Sequence, residues 1–330
     1  MTRKIPVLIC IDVEPDAREI DPDAREDWKG FEESFRVFQQ FRPRAEDATG
    51  APVHLSWFLR MDPQVALVYG SHAWAARRYA GLFAALESEG DEIGLHAHAW
   101  RWDESCERWV ADYADQEWVS HCVRSSFESF EEAFGRMCAS FRFGDHWMND
   151  ETLDLVERLG ARFDLTVEPR RTAEPDIPPG ENFTGSFLDY LNVPRAPYRP
   201  SRADFRKDRG VGNRGLWVFP VSMGQFPLWP AARFYRRAFW RLKYGRRKYL
   251  PISLNLPPTY FSRHVNEVIR ESVKPREQGK PYLCLVMRTN GAVSAQYAAW
   301  LGENLDLLLT HPLARQVAFE TPAEALIRLT

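Results

Sequence analysis

The decapeptide VLICIDVEPD, residues 7–16, joins an apolar run directly to three acids, Asp12, Glu14 and Asp16. Residues 5–12 are nearly all apolar, which is typical of a strand covered on both faces of a parallel sheet. Carboxylates beside such a strand need a partner such as an arginine or a metal ion, because an unpaired buried charge is costly. The stretch therefore predicts an α/β fold and a cationic partner at the end of its first strand.

Strand-like and helix-like segments alternate along the rest of the chain. The predicted strands are 5–12, 53–59, 91–98, 163–167, 216–221 and 282–287, with a further short one before Arg142. The predicted helices are 30–47, 72–89, 115–138, 149–159, 260–273, 295–309 and 322–329. This alternation favours a barrel-like parallel α/β architecture, which we assign to one domain over residues 1–330. Segment 168–215, rich in Pro and Arg, interrupts the alternation and is predicted to be a long irregular insertion near the active face.

Composition excludes some classes of function. The 330 residues are 45% hydrophobic, enough for a large core, and the net charge of −3 gives no sign of a nucleic-acid partner. The sequence contains no apolar stretch of membrane-spanning length and no recognisable signal peptide. Its five cysteines lack CxxC spacing and are expected to be free thiols, so we expect a cytoplasmic protein.

Segment 233–248 departs from this balance, since it carries eight basic residues and no acid, with aromatic residues interleaved. Two interpretations stay open. The segment is either a solvated helix whose aromatic residues pack on the protein body, or a weak contact site for an anionic membrane surface.

Two short motifs place candidate metal ligands at predicted strand ends. Asp12 and Glu14 are two residues apart at the end of the first strand, and His96 and His98 repeat this spacing at the end of a later one. In extended backbone, residues two apart point to the same side. Two imidazoles with one or two carboxylates suit Zn²⁺ or a similar divalent ion. Arg142 follows another short strand and could pair with one of the carboxylates.

These motifs, in this order, resemble those of the polysaccharide deacetylase (NodB-homology) family. VLICIDVEPD resembles the first family motif, and GDEIGLHAHAW (90–100) resembles the histidine motif. The stretch FRFGDHWMNDETLDLVERLGARFDLTV (141–167) is similar to the third and fourth motifs, and FETPAEAL (319–326) to the final strand and helix. The D-x-E and H-x-H forms resemble a branch found among polysaccharide and O-antigen biosynthesis proteins. The resemblance implies a deformed (β/α) barrel of about seven parallel strands.

The same resemblance implies roles for individual residues. Asp12 corresponds to the general base, Arg142 to the residue that orients it, and Glu14, His96 and His98 to the ligands of a divalent metal, Zn most of all. Backbone N–H groups around Gly144 and Asp145 correspond to the donors that stabilise the oxyanion. The implied activity is metal-dependent deacylation of a carbohydrate, by hydrolysis of a C–N or ester bond, in assembly or modification of a cell-surface glycan.

The sequence departs from the family pattern in three places. The family spaces its histidines H-x-x-x-H, whereas the second imidazole here is His98, and the second acid stands one position further on, at Glu14. At the last core strand Arg288 replaces the general-acid histidine, and arginine cannot give up a proton near neutral pH. His146 is the first substitute for that acid and His54 the second. O-deacylation therefore remains open beside N-deacylation.

Substrate contacts are predicted at two tryptophans inside the motifs, Trp100 and Trp147, whose indole faces could stack on a carbohydrate substrate. Two other functions stay open. One is a catalytically impaired barrel that binds glycan or a partner protein, and the other is a metal-independent hydrolase of a small amide C–N bond.

Overall fold

The computed structural model describes residues 4–23, 27–173, 182–186, 189–208, 212–225, 249–272 and 281–330. In this part of the chain the strands are β1 (Ile5–Val13), β2 (Ser56–Arg60), β3 (Glu92–Ala97), β4 (Trp100–Asp103), β5 (Arg108–Asp112), β6 (Ser140–Phe143), β7 (Phe163–Asp164), β8 (Asn182–Thr184), β9 (Trp217–Val218), β10 (Met223–Gln225), β11 (Tyr249–Pro251), β12 (Leu283–Arg288) and β13 (Val317–Phe319). The α-helices are α1 (Lys29–Thr49), α2 (Pro63–Tyr69), α3 (Trp74–Arg78), α4 (Ala80–Ser88), α5 (Gln116–Phe134), α6 (Asp150–Arg158), α7 (Pro258–Ser272), α8 (Ala295–Thr310) and α9 (Pro322–Leu329).

Seven parallel strands form the main sheet in the order β12-β1-β2-β3-β6-β7-β9, and β13 pairs with the first residues of β1. The sheet curls into a half-barrel, which confirms the predicted deformed (β/α) barrel. All nine residues of β1 are buried, because helices cover its outer face and the opposite strands cover its inner face. The apolar run that opens the chain is thus the centre of the core.

Irregular backbone brings the two edges of the half-barrel together. The N–H of Ser222 donates to the carbonyl of Cys284 at 2.9 Å, and the N–H of Leu254 donates to the carbonyl of Val286 at 2.9 Å. These bonds link the segments after β9 and β11 to β12. The carboxyl ends of the parallel strands therefore surround one space, where such folds place their ligands.

Local signals explain several element boundaries. Asn149 accepts from the N–H of Thr152 at the start of α6, as is usual for an N-cap, and Asp62 caps α2 ahead of Pro63. Asp16 is likewise a cap rather than a site residue, because its carboxylate accepts from the N–H groups of Lys29 and Gly30 at the start of α1. The third acid of the opening stretch is therefore satisfied by a helix.

The structure corrects the sequence-based boundaries in a few places. The predicted helix 72–89 is divided at Tyr79 into α3 and α4, and α2 was not predicted. Strands β4 and β5 form an antiparallel hairpin outside the barrel, and β8 pairs with β5. Within the described part of 168–215, β8 is the only helix or strand.

Two sequence-based expectations concern membranes and thiols. Segment 233–248 lies outside the described residues. Among the helices that the structure describes, none has the length and apolar character needed to cross a bilayer. All five cysteines are free, and four of them are buried.

Candidate metal centre and active-site cavity

Parallel pairing brings the predicted site residues to one end of the sheet. Asp12 lies opposite Arg288 of β12, and His96 lies opposite Arg142 of β6. The side chains of Asp12, His96 and Arg142 are buried, whereas that of Arg288 is about half exposed. The two members of each pair, 276 and 46 positions apart in the sequence, thus meet because their strands end together.

The two imidazoles are held in defined orientations. Nδ1 of His96 lies 2.9 Å from the carbonyl oxygen of Arg142, and Nδ1 of His98 lies 3.1 Å from Oδ2 of Asp145. Both oxygens can only accept, so each Nδ1 carries the hydrogen and each Nε2 presents a lone pair. The indole N–H of Trp100 also approaches Nδ1 of His98, at 3.2 Å, but the ionised carboxylate of Asp145 is the stronger attraction for a proton on that nitrogen.

The resulting arrangement fits a cation. The two Nε2 atoms lie 3.0 Å apart, so two lone pairs face each other at hydrogen-bond distance. Burial lowers the pKa of His96 to about 4, so its ring is neutral at pH 7 and supplies no proton between them. A positive ion that accepts both lone pairs removes this repulsion, and a ring-nitrogen partner of the kind seen at both Nδ1 atoms is usual for histidines that bind metals.

Glu14 completes a set of three donors. One donor atom from each of Glu14, His96 and His98 lies within 4.8 Å of the others, and all three residues are buried. Oε2 of Glu14 is 3.9 Å from Nε2 of His98. Two imidazoles and one carboxylate form a ligand set that suits zinc. These residues could therefore hold a divalent metal ion.

Two arginines also face Glu14. Nε of Arg288 donates to Oε1 at 2.8 Å, and Nη1 of Arg60 lies 4.0 Å from Oε2. Burial opposes ionisation of Glu14, but the positive charge of Arg288, with a smaller contribution from Arg60, lowers its pKa to about 2. Glu14 is thus ionised at neutral pH, with Oε1 taken by Arg288 and Oε2 turned towards the imidazoles.

Asp12 is fixed beside these ligands by Arg142. Nε of Arg142 donates to Oδ1 of Asp12 at 2.9 Å, and Nη1 donates to the carbonyl of Leu165 at 2.6 Å. Burial opposes the charge of Arg142, but the Asp12 carboxylate raises the pKa of the guanidinium above its usual range. The charge-assisted bond keeps the carboxylate in one orientation at the cavity wall.

The loop after β6 supports His98. Asp145 accepts from His98, from the hydroxyl of Tyr113 at 2.7 Å and from Arg18. Burial opposes its ionisation, but His98 and Arg18 hold the pKa of Asp145 well below its usual range. Its backbone is left-handed, with φ of 54°. The side chain of Asp145 therefore orients an imidazole, a role that was not predicted from the sequence.

Gly144 is required by the same contact. A Cβ atom at Gly144 would lie 2.2–2.4 Å from three atoms of the His98 ring, closer than any side chain tolerates. The imidazole thus packs directly on the backbone of the loop. The family resemblance implied that backbone N–H groups around residues 144 and 145 are oxyanion donors, a role open to any non-proline residue. The contact with His98 is the reason that residue 144 is glycine.

Two buried residues at the end of β2 were not predicted from the sequence. Oδ2 of Asp62 accepts from the backbone N–H of His98 at 3.0 Å and from Nε of Arg60 at 2.7 Å. The pair therefore fixes the backbone of one imidazole and places a positive charge near Glu14. The stretch FLRMDP (58–63) places an arginine and an acid at the end of a strand, which could have indicated these two residues as part of the site. An acid before proline is, however, also typical of a simple helix cap.

The two candidates for the missing proton donor differ in position. His146 lines the cavity, but burial lowers its pKa to about 4, so at neutral pH it does not carry a proton to donate as an imidazolium. His54 precedes β2 and bonds to Glu324 through Nδ1 at 2.7 Å. It therefore lies at the amino ends of the strands, away from Asp12, and its prediction as an acid is wrong.

The predicted tryptophan platforms do not face the cavity. Trp100 and Trp147 are 1% and 4% exposed and are absent from the cavity wall, so stacking on a sugar does not fit their positions. Trp147 instead stacks on Tyr113 with ring centroids 5.0 Å apart. Two aromatic residues of α8, Tyr297 and Trp300, line the cavity in their place. In the sequence, the only sign of this role is that Tyr297 and Trp300 are three residues apart near the start of a predicted helix. Aromatic pairs with that spacing usually pack in a core, so the pattern did not predict a cavity wall.

The cavity has a volume of about 620 Å³, within the range of small-molecule sites. Its wall includes Asp12, His96 and His98 on one side and residues of β11 and the loop after β12 on the other. The two candidate imidazole ligands and the candidate base therefore open into one space.

Comparisons with known proteins bear on the fold. No protein-family model matches the chain, and a search of curated proteins finds no match. A structure from Parabacteroides distasonis, described as a glycoside hydrolase/deacetylase, matches with a TM-score of 0.58 and 12% identity over 96% of this chain and 70% of its own. A polysaccharide deacetylase structure from Pseudomonas aeruginosa PAO1 matches with a TM-score of 0.52 and 13% identity over 98% and 90%. An allantoinase matches with a TM-score of 0.53 and 12% identity over 99% and 90%.

Identities this low show the fold alone. The chain has the barrel that these structures share, so the resemblance to polysaccharide deacetylases is confirmed at the level of the fold.

Proposed function

We propose that this protein is a metal-dependent carbohydrate deacylase, which hydrolyses an acyl group from a sugar hydroxyl or amine. The observation that carries the proposal is the convergence of Glu14, His96 and His98 beside an Asp12 carboxylate tethered by Arg142. The fold shared with polysaccharide deacetylases supports the same reading at a coarser level.

Glu14, His96 and His98 would hold the ion, with Zn²⁺ as our choice because of the two imidazole donors. A divalent ion at this place supplies Lewis acidity towards the acyl carbonyl and the attacking water. Asp145 and the carbonyl of Arg142 keep both imidazoles in the tautomer that binds metal through Nε2.

Asp12 would act as the general base. Arg142 occupies Oδ1, which leaves Oδ2 as the oxygen that takes the proton from water when it attacks the acyl carbon. The C–O or C–N bond of the tetrahedral intermediate then breaks, and protonated Asp12 can return its proton to the leaving group. Backbone N–H groups around Gly144 and Asp145 would stabilise the oxyanion.

The charges around the cavity favour an ester over an amide. Glu14 raises the pKa of Arg288 above its usual range, so this guanidinium stabilises charge and donates no proton. His146 is neutral at pH 7 because its pKa is about 4. Of the donors considered, only protonated Asp12 then remains for the leaving group. An amine needs more help from an acid to leave than an alcohol does, so we propose O-acyl groups ahead of N-acyl groups.

Metal analysis and acetate release test the proposal together. Purified protein is analysed for bound metal and incubated with panels of O- and N-acetylated sugars, beside the Asp12→Asn and His98→Ala variants. We expect one divalent ion and acetate release in the wild type, a bound ion without release in Asp12→Asn, and neither in His98→Ala. Tight glycan binding without metal would instead support a barrel that only binds.

A second function is favoured by one contact. The Glu14–Arg288 ion pair gives the carboxylate a cationic partner of its own, and the same barrel is found in an allantoinase. A metal-independent hydrolase of a small amide would use this pair in place of an ion. Activity that survives dialysis against a strong chelator would favour it over the deacylase.

A further inference from the structure

The aromatic side of the cavity is built on the first turns of α8. Tyr297 and Trp300 are one turn apart, with ring centroids 5.3 Å apart at 65°, and both line the cavity. Further along the same helix, Leu301, Leu305 and Leu308 are buried in the core. Tyr297, by contrast, is 43% exposed. The apolar stripe of α8 therefore runs past the core and ends on the wall of the cavity.

A polar group without a partner stands at the same wall. Nδ2 of Asn255 is buried and makes no hydrogen bond within the described structure, although Asn255 lines the cavity. Its Oδ1 is occupied, because it accepts from the backbone N–H of Arg288 at 3.4 Å. A buried donor without a partner costs free energy, and a ligand acceptor in the cavity would remove that cost.

The amide and the aromatic pair are held in a fixed relation to each other. Asn304 of α8 donates from Nδ2 to the carbonyl of Leu254 at 2.8 Å and to that of Leu256 at 2.7 Å. These two carbonyls flank Asn255 on either side. Because Asn304 is itself buried, the bonds anchor the loop of Asn255 against the helix that carries Tyr297 and Trp300.

We propose that Tyr297, Trp300 and the amide of Asn255 form a subsite that binds a sugar ring adjacent to the one that is deacylated. Aromatic faces fit the C–H face of a pyranose, and an amide N–H fits a hydroxyl or ring oxygen, so the two features call for one kind of ligand. This inference rests on the proposed function, because it takes the substrate to be a carbohydrate. It adds that the substrate is an oligosaccharide or glycan rather than a monosaccharide.

The geometry also distinguishes this subsite from the reaction centre. Asp12 lies in β1, His96 lies in β3 and His98 follows β3 directly, whereas the subsite comes from α8 and the loop before α7. A variant of Tyr297 or Trp300 therefore leaves the metal ligands and the base in place. Binding and chemistry can be measured separately.

The test uses the full chain with Asp12→Asn, so that a bound saccharide is not turned over. The probes are an array of O- and N-acetylated saccharides of one to five sugar residues. The array member that binds most tightly is then titrated. We expect oligosaccharides to bind more tightly than the matching monosaccharide. Tyr297→Ala and Trp300→Ala should each raise the Kd of the oligosaccharide by about tenfold, which matches the worth of one aromatic contact. Asn255→Ala should raise it as well, and Tyr297→Phe should restore binding.

The matched control is Ile327→Ala in α9, another exposed apolar side chain, which is 78% exposed and does not line the cavity. It should leave the Kd unchanged. Unchanged binding in the Tyr297→Ala/Trp300→Ala double variant overturns the subsite, and so does the absence of any array member that binds. If binding depends on the two aromatic residues but wild-type protein releases no acetate, the deacylase fails and the subsite stands. If acetate release from oligosaccharides is insensitive to the double variant, only the subsite fails.

Discussion

Gly144→Ala should disable the candidate metal centre without touching a metal ligand. The new Cβ would lie 2.2–2.4 Å from three ring atoms of His98, whereas ordinary contact begins at 3.4 Å. Either the imidazole or the loop must therefore move by about 1 Å, several times the tolerance of about 0.2 Å for a metal–ligand distance. The loop resists because Asp145 is bonded to Arg18, Tyr113 and His98.

We expect the loss to resemble removal of His98 as a ligand. Disturbing a residue that only supports a ligand costs about 10–100-fold in metal affinity, so displacing the ligand itself should raise the Kd for Zn²⁺ by at least about 100-fold, or about 2.7 kcal/mol. The assay is a competition titration of Zn²⁺ against a chromophoric chelator at pH 7.5. Circular dichroism establishes that the variant is folded.

Gly81→Ala is the matched control. Gly81 lies inside α4, and a Cβ there meets nothing within 4 Å. This variant should bind Zn²⁺ as the wild type does and be more stable by up to about 1 kcal/mol, because alanine favours the helix. A folded Gly144→Ala protein with wild-type Zn²⁺ affinity would falsify the placement of His98 in the metal centre.

Three further variants test the base, the support of His98 and the titration of His146. Asp12→Asn should reduce acetate release at least about 100-fold while Zn²⁺ binding persists in the chelator competition, and equal turnover of variant and wild type would reject Asp12 as the base. Asp145→Asn replaces the charged acceptor that fixes Nδ1–H of His98 with a neutral amide and should raise the Kd for Zn²⁺ about 10–100-fold, whereas an unchanged Kd would show that the tautomer is set elsewhere. The pKa of His146 is lowered to about 4 in the folded protein, whereas an unfolded histidine titrates near pH 6.5. Between these two pH values the unfolded chain binds a proton that the folded protein does not, so the free energy of unfolding falls as the pH falls. Urea unfolding should therefore show wild type losing about 1–2 kcal/mol more than His146→Asn between pH 7 and pH 5, and parallel losses would contradict the shift.

The barrel was predicted from short-range patterns in the sequence. The apolar run of β1 and the alternation of strand and helix are local patterns, and the alternation recurs along the chain. A single wrong boundary, such as predicting one helix over 72–89 where the structure divides it at Tyr79, therefore does not change the architecture. The sequence also placed Asp12, Glu14, His96 and His98 at strand ends. Parallel strands end at one edge, so these residues were bound to be neighbours once the fold was known.

The tertiary structure decided which side chains meet and which are covered. Arg142 and Asp12 are 130 residues apart and Arg288 and Glu14 are 274 apart, and no local spacing encodes the partner of either acid. The same holds for the support of His98 by Asp145.

Aromatic residues show most clearly what the sequence alone does not decide. Trp100 and Trp147 stand inside the motifs yet are buried, whereas Tyr297 and Trp300 stand outside them and line the cavity. Sequence periodicity fixes which face of an element is apolar, because backbone geometry sets the repeat. Whether that face meets the core or an open cavity depends on what the rest of the chain packs against it, and only the folded molecule contains that information.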